Sequence, residues 1–246
     1  MSAPAVALRG VSKRFGGVHA VADVHLEARS GEVVGLVGHN GAGKSTLMKC
    51  LTGALGADAG EIRVAGAPVR IRSPRDAARL GVAALYQDLA LADNLDAAAN
   101  VFLGHELLTR LGTLDERAME RETRSLLARI EPGFDAWRLP VRMLSGGQRQ
   151  AVAFARALRR SAKILVLDEP TAALGPRERA SVAGLIRRSA GEGAAIFLVS
   201  HDLDDVLDLA DRVAVMHTGR IVAERRADAI SREELVGLIV GGATPL

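Results

Sequence analysis

Short, wholly apolar blocks punctuate this chain. Val33-Val34-Gly35-Leu36-Val37, Val82-Ala83-Ala84-Leu85, Ile164-Leu165-Val166-Leu167, Ala195–Val199 and Val213–Met216 read as buried strands. Val6-Ala7-Leu8-Arg9 and Val24-His25-Leu26-Glu27-Ala28 alternate in part, and Gly60–Gly66 reads as a further strand ended by glycine. Ser30-Gly31 makes a turn into the block at 33–37. Between the blocks the spacing changes to that of helices. Ser73-Pro74 supplies an N-cap and a first helical residue for Arg75–Leu80. Ala97–Leu103 and Asp115–Ile130 carry helical spacing, with Leu126, Leu127 and Ile130 on one apolar stripe and Glu131-Pro132-Gly133 as the stop. Gly146–Arg160, Pro176–Ala190 and Asp202–Leu209 are the remaining helices. Strand and helix alternate at both ends of the chain, which predicts an α/β fold on a mostly parallel sheet. The stretch from about Asp88 to Ser161 is helical and reads as an insertion into that core.

The block at 33–37 runs into Gly38-His39-Asn40-Gly41-Ala42-Gly43-Lys44-Ser45-Thr46, a full match to the phosphate-loop pattern G-x-x-x-x-G-K-[ST]. Gly38, Gly41 and Gly43 let the backbone curl so that successive N–H groups, those of Asn40 and Thr46 included, turn toward phosphate oxygens. The helix start behind them adds roughly half a positive charge. Lys44 can reach β- and γ-phosphates, and the Ser45 hydroxyl can hold Mg²⁺.

Composition narrows the setting. Of 246 residues, 48% are hydrophobic, enough for a substantial core in one compact unit. No run of 18 apolar residues is present to span a bilayer, and the first residues have no signal-peptide pattern. Cys50 is the single cysteine, which excludes an internal disulfide framework. These features predict a cytosolic setting. The net charge of +3 is spread over acid–arginine mixtures such as Asp115-Glu116-Arg117 and Glu120-Arg121-Glu122, the pattern of solvated helix faces. With aromatics at 3%, base-stacking platforms are scarce, and no nucleic-acid partner is expected.

Five further features belong with the phosphate loop. Ile164–Leu167 ends in Asp168-Glu169, which places Asp168 to hold Mg²⁺ and Glu169 to orient or deprotonate water. Leu144-Ser145-Gly146-Gly147-Gln148 precedes a helix and forms a second anion nest. One nucleotide cannot readily use both nests of one chain, but two chains placed head to tail can. His201, after the strand 195–199, can reach a γ-phosphate. Gln87, after the strand 82–85, can contact Mg²⁺ or water. Phe15 reads equally as an adenine platform and as an ordinary strand-end aromatic.

In this order and spacing, the phosphate loop, Gln87, Leu144–Gln148, Asp168-Glu169 and His201 resemble the nucleotide-binding subunits of ATP-binding cassette (ABC) transporters, across essentially the whole chain. The resemblance implies a recA-like phosphate-loop core with an antiparallel β subdomain, over about 1–87 and 163–246. It also implies an inserted helical subdomain over about 88–162. It implies a Mg²⁺-dependent ATPase, a head-to-tail dimer with two ATPs held between phosphate loops and opposing signature sequences, here Leu144–Gln148, and docking on a membrane permease at the cytoplasmic face. A finer similarity links Tyr86–Leu95, Asn100–Gly104 and Thr171–Gly175 to the ATPases of bacterial monosaccharide importers of the ribose, xylose and fructose type. Many of those are fused tandem proteins; a single cassette is expected to pair with itself and to serve an extracytoplasmic sugar-binding protein through the permease. One departure stands out. Gly175 occupies the place where most of the family has the Asp that helps communication across the dimer. An importer of another small solute, such as an amino acid or nucleoside, and a non-transport ABC ATPase are the alternatives. The second is disfavoured because coiled-coil or zinc-bearing insertions and charged linkers are missing.

Overall fold

A computed structural model of the chain describes residues 3–86, 88–159, 162–172 and 174–241. Two sheets organise it. The first strands, β1 (Val6–Phe15) and β2 (Val18–Ala28), are antiparallel and longer than their alternation suggested, because they pair through several register shifts. β3 (Val33–Val37) leads into α1 (Lys44–Leu51). β4 (Ala59–Val64) and β5 (Ala67–Val69) complete a four-stranded antiparallel sheet in the order β2-β1-β4-β5. Then follow α2 (Pro74–Arg79), β6 (Val82–Leu85), α3 (Ala97–Phe102), α4 (Glu116–Ile130), α5 (Gly146–Leu158), β7 (Ile164–Asp168), α6 (Pro176–Gly191), β8 (Ala195–Val199), α7 (Leu203–Leu209), β9 (Arg212–His217), β10 (Arg220–Arg226) and α8 (Arg232–Gly241). The second sheet has the order β10-β9-β3-β8-β7-β6 and is parallel except at β10.

The apolar blocks are apolar throughout because both faces of this sheet are covered. Val33 and Val37 of β3, Leu165 and Leu167 of β7, and Ile196 and Leu198 of β8 pack into one core with helices α3 to α7. The intervening Val34, Leu36, Ile164, Val166 and Phe197 pack into a second core with α1 and the antiparallel sheet. The period-two switch of faces is the strand geometry itself. Local chemistry sets the helix starts. Ser73 caps α2 with Pro74 behind it, Asp96 caps α3, Asp115 caps α4 and Asp202 caps α7. On α4, Leu127 and Ile130 are buried and Leu126 half-buried, so the expected stripe forms. The helix expected to run to Arg160 closes earlier: α5 ends at Leu158 with Arg159 as its C-cap. The hairpin strands β5 and β10 and the helix α8 were not foreseen; β10 is largely charged and exposed, and carries little hydrophobic pattern. Among the described residues no helix is long and apolar enough to cross a membrane.

Candidate functional site

The carboxyl ends of β3, β7 and β8 lie side by side in the parallel sheet, and what leaves those ends forms the site. After β3 the backbone turns through positive φ at Gly38 (153°), Gly41 (81°) and Gly43 (105°). Two of these glycines also lack room for a side chain. A Cβ on Gly38 would stand 2.1 Å from the Met216 carbonyl oxygen, and one on Gly43 would stand 2.2 Å from that of Ala20. The loop is therefore pressed against β9 and β2, which fixes its curl. Gly43 is the N-cap of α1 and offers no side-chain cap, so the first N–H groups of the helix remain for a ligand.

The Lys44 ammonium donates to the carbonyls of Gly38 (2.7 Å) and His39 (3.0 Å), folded back across its own loop. Burial lowers its pKa, against the pull of the nearby carboxylates Glu169 and Asp168. Asp168 ends β7 and is 7% exposed. Burial raises its pKa, and the Ser45 hydroxyl, Lys49 and Lys44 oppose that rise, Ser45 by hydrogen-bonding to the carboxylate. A hydroxyl and a buried carboxylate in mutual contact are the oxygen donor set that Mg²⁺ takes. The donors therefore fit the ion that the phosphate loop implies.

Glu169 sits at φ 56°, an uncommon backbone for a carboxylate residue. Its Oε2 lies 2.7 Å from Nδ1 of His201, an ion-pair approach without hydrogen-bond geometry, and it has no hydrogen-bond donor. A buried carboxylate oxygen left in that condition retains lone-pair capacity for a water or a hydroxyl donor. Lys44, Ser45, Asp168, Glu169 and His201 are thus one cluster.

The signature turn stands on a different element. Ser145 caps α5 in a capping box: its Oγ accepts from the Gln148 N–H (3.2 Å), and Gln148 Oε1 accepts from the Ser145 N–H (3.0 Å). Gln148 therefore spends its side chain on the cap. Gly146 and Gly147 form the first turn of the helix. Among the described residues no hydrogen bond or ion pair joins this turn to the phosphate loop. Phe15 is 49% exposed at the end of β1, with the Lys13 ammonium 5.7 Å from its ring centroid. A solvent-facing ring is available for stacking. Gln87 lies outside the described residues.

Two positioning contacts went unread in the sequence. The Tyr86 hydroxyl meets Thr52 Oγ1 at the end of α1, tying the residue before Gln87 to the phosphate-loop helix. Gln150, buried on α5, donates from Nε2 to the Pro170 carbonyl and so links the signature helix to the segment after Glu169. The uniqueness of the tyrosine was the available signal for the first contact. A polar residue on the apolar side of α5 was the signal for the second.

Residues 21–172 match the model of the ABC transporter family. A ribose import ATP-binding protein of Burkholderia pseudomallei is 45% identical over 242 residues, covering 97% of this chain and 47% of that protein. One from Rubrobacter xylanophilus is 44% identical over 238 residues, with the same coverage of each chain. The chain therefore spans about half the length of the curated relatives it matches. Among solved structures, the ADP conformation of an ATP-binding cassette of an ABC transporter superposes with a TM-score of 0.81 at 25% identity, over 98% of this chain and 96% of that one. A Clostridium perfringens protein, part of an ABC transporter complex, gives 0.78 at 27% identity, over 98% and 96%.

Proposed function

We propose, from the premise that this chain belongs to the ABC transporter family, that it binds ATP with Mg²⁺, hydrolyses it, and powers import of a monosaccharide through a membrane permease. The convergence of Lys44, Ser45, Asp168, Glu169 and His201 at adjacent parallel strand ends carries this reading. The phosphate-loop N–H groups cradle the phosphates. Lys44 exchanges its loop carbonyls for β- and γ-oxygens. Ser45 and Asp168 hold Mg²⁺, which when bound neutralises charge on those oxygens. Glu169 takes or orients the proton of the attacking water, and His201 steadies Glu169 and the γ-phosphate side of the site. Phe15 stacks on the base. Ser145, Gly146 and Gly147 of a second cassette close over the nucleotide from the other side, with Gln148 holding that turn in shape.

The segment 88–162 is read as the helical subdomain that meets the permease, with Gln87 just before it in the sequence. A cavity of about 410 Å³ supports that docking site: it opens between the core and the helices and is lined by Ala77, Ala83, Tyr86, Leu103, Arg156 and Arg159 among others. Val101 and Phe102 are 2% and 0% exposed and are part of the core; Leu103, at 47%, remains available. Acidic Asp88 and Asp93 of the same segment line a second cleft, beside Gly146 and Arg149, which belongs to the docking face in this reading. The sugar is inferred from the ribose-import names of the relatives.

Phosphate release by the purified chain tests the enzymatic core of this reading. Lys44→Ala is expected to weaken nucleotide binding. Glu169→Gln is expected to keep ATP bound and to lose at least ~10²-fold in turnover. Near-wild-type turnover by Glu169→Gln refutes the role given to that carboxylate.

A further inference from the structure

Gly175 is the N-cap of α6 and makes no side-chain cap, in the position where the family resemblance leads one to expect an acid. The space beside it is nonetheless filled by a carboxylate. A Cβ on Gly175 would stand 2.7 Å from Oε2 of Glu178, one turn further along the same helix. The same side chain lies over the signature turn: a Cβ on Gly147 would stand 2.5 Å from Glu178 Cγ and 3.4 Å from its Oε1. Glu178 is half-buried, in the first turn of α6, against the first turn of α5. Two helix N-termini therefore converge on one carboxylate, and each favours negative charge there. The seam behind it is closed, with only about 10 Å³ of space among Gly147, Gln150, Leu174, Glu178 and their neighbours. Gln150 fastens the other end of the seam to Pro170.

We propose that Glu178 is a positioning residue of the nucleotide site, supplying from inside α6 the carboxylate that position 175 lacks. It holds the signature turn at a set distance from the segment 170–175 that follows Glu169. Glycine at 147 admits its stem, and glycine at 175 admits its head. The inference rests on the ATPase reading above and adds to it a contact between the signature turn and the segment that follows the hydrolytic carboxylate.

A two-by-two exchange tests it. Glu178→Gln keeps the shape and removes the charge; Glu178→Ala removes both. Each is expected to lower ATP turnover by on the order of tenfold, the size expected for a partly buried carboxylate placed between two helix starts. Nucleotide affinity of the phosphate loop should stay within about twofold. Gly175→Asp should restore turnover in the Glu178→Ala chain. If Glu178→Ala does not fold, Glu178→Gln and its pairing with Gly175→Asp serve the same comparison. Turnover by Glu178→Gln within about twofold of wild type, or no rescue by Gly175→Asp, overturns the proposal. A nucleotide-free readout separates its failure from that of the ATPase reading. Gly147→Ala should lower the melting temperature less in the Glu178→Ala chain than in the wild type, because the clash with Cγ is gone; equal losses in both overturn the placement of Glu178 whatever the turnover.

Discussion

Replacing Gly43 by alanine probes whether the phosphate loop is held by its surroundings or merely tolerated by them. Two costs add. At φ 105° an L-residue is strained, by about 1–3 kcal/mol. The new Cβ would also stand 2.2 Å from the Ala20 carbonyl oxygen and 2.8 Å from Met216 Cε, where ordinary contact begins at roughly 3.5 Å. Relieving that overlap moves the loop away from β2 and adds about 1–3 kcal/mol. The sum is about 2–6 kcal/mol, and at about 2–4 °C per kcal/mol for a chain of this size the melting temperature falls by roughly 4–24 °C. Gly41→Ala is the control. Its φ is 81°, but nothing lies within 4 Å of its added Cβ, so it bears the strain alone. Scanning calorimetry without nucleotide gives the difference between the two variants. A second scan with MgATP gives the loss of ligand stabilisation, which for wild type is about 2.7 kcal/mol at a hundredfold excess over Kd. If Gly43→Ala melts with Gly41→Ala and keeps the wild-type shift with MgATP, the loop does not depend on its contact with Ala20 and the reasoning fails.

Two other perturbations follow from the site and its surroundings. Asp168 has a raised pKa in the folded chain, so its ionised form weakens the fold; that cost is absent below the ordinary aspartate range and grows as pH rises through the folded pKa. Asp168→Asn should therefore melt higher than wild type at neutral pH, with the gain fading in acid, while losing Mg²⁺-dependent ATP binding; calorimetry across pH checks the sign. Asp93→Lys, at an exposed position beside the signature turn, should leave basal ATPase of the isolated chain unchanged and lower sugar-stimulated ATPase and uptake in the assembled transporter, and unchanged reconstituted uptake removes Asp93 from the docking face.

The parallel sheet was legible because burial on both faces leaves wholly apolar blocks, and β3, β6 and β8 begin and end where those blocks do. The cap at Ser73 was legible because a short polar side chain before a helical period has a defined task there, whereas Asp115, read as the start of its helix, is the cap before it. What stayed hidden depends on contacts between distant segments. β10 is charged along much of its length and is a strand because β9 offers it an edge. Val101 and Phe102 lie in the core, and spacing alone cannot tell a helix stripe facing its own core from one facing a partner. Glu178 looked like an ordinary first-turn acid on α6; only the placement of α5 against that turn gives it a neighbour in Gly147. The candidate residues that the fold brings together, Lys44, Ser45, Asp168, Glu169 and His201, were legible because phosphate chemistry restricts which side chains can follow each strand, whereas the back-folded Lys44 and the capping use of Gln148 are conformational choices.

The central claim is a nucleotide site completed by two chains, and complementation reads it most directly. Lys44→Ala removes the phosphate ligand, and Ser145→Arg blocks the signature turn, each expected to abolish turnover in a pure sample. Mixed chains assemble dimers in which both defects fall in one composite site and the other site is intact. ATP hydrolysis should then return, following the fraction of mixed dimers as the ratio of the two chains is varied. No return of activity, in samples where mixed dimers are demonstrated, contradicts the head-to-tail arrangement.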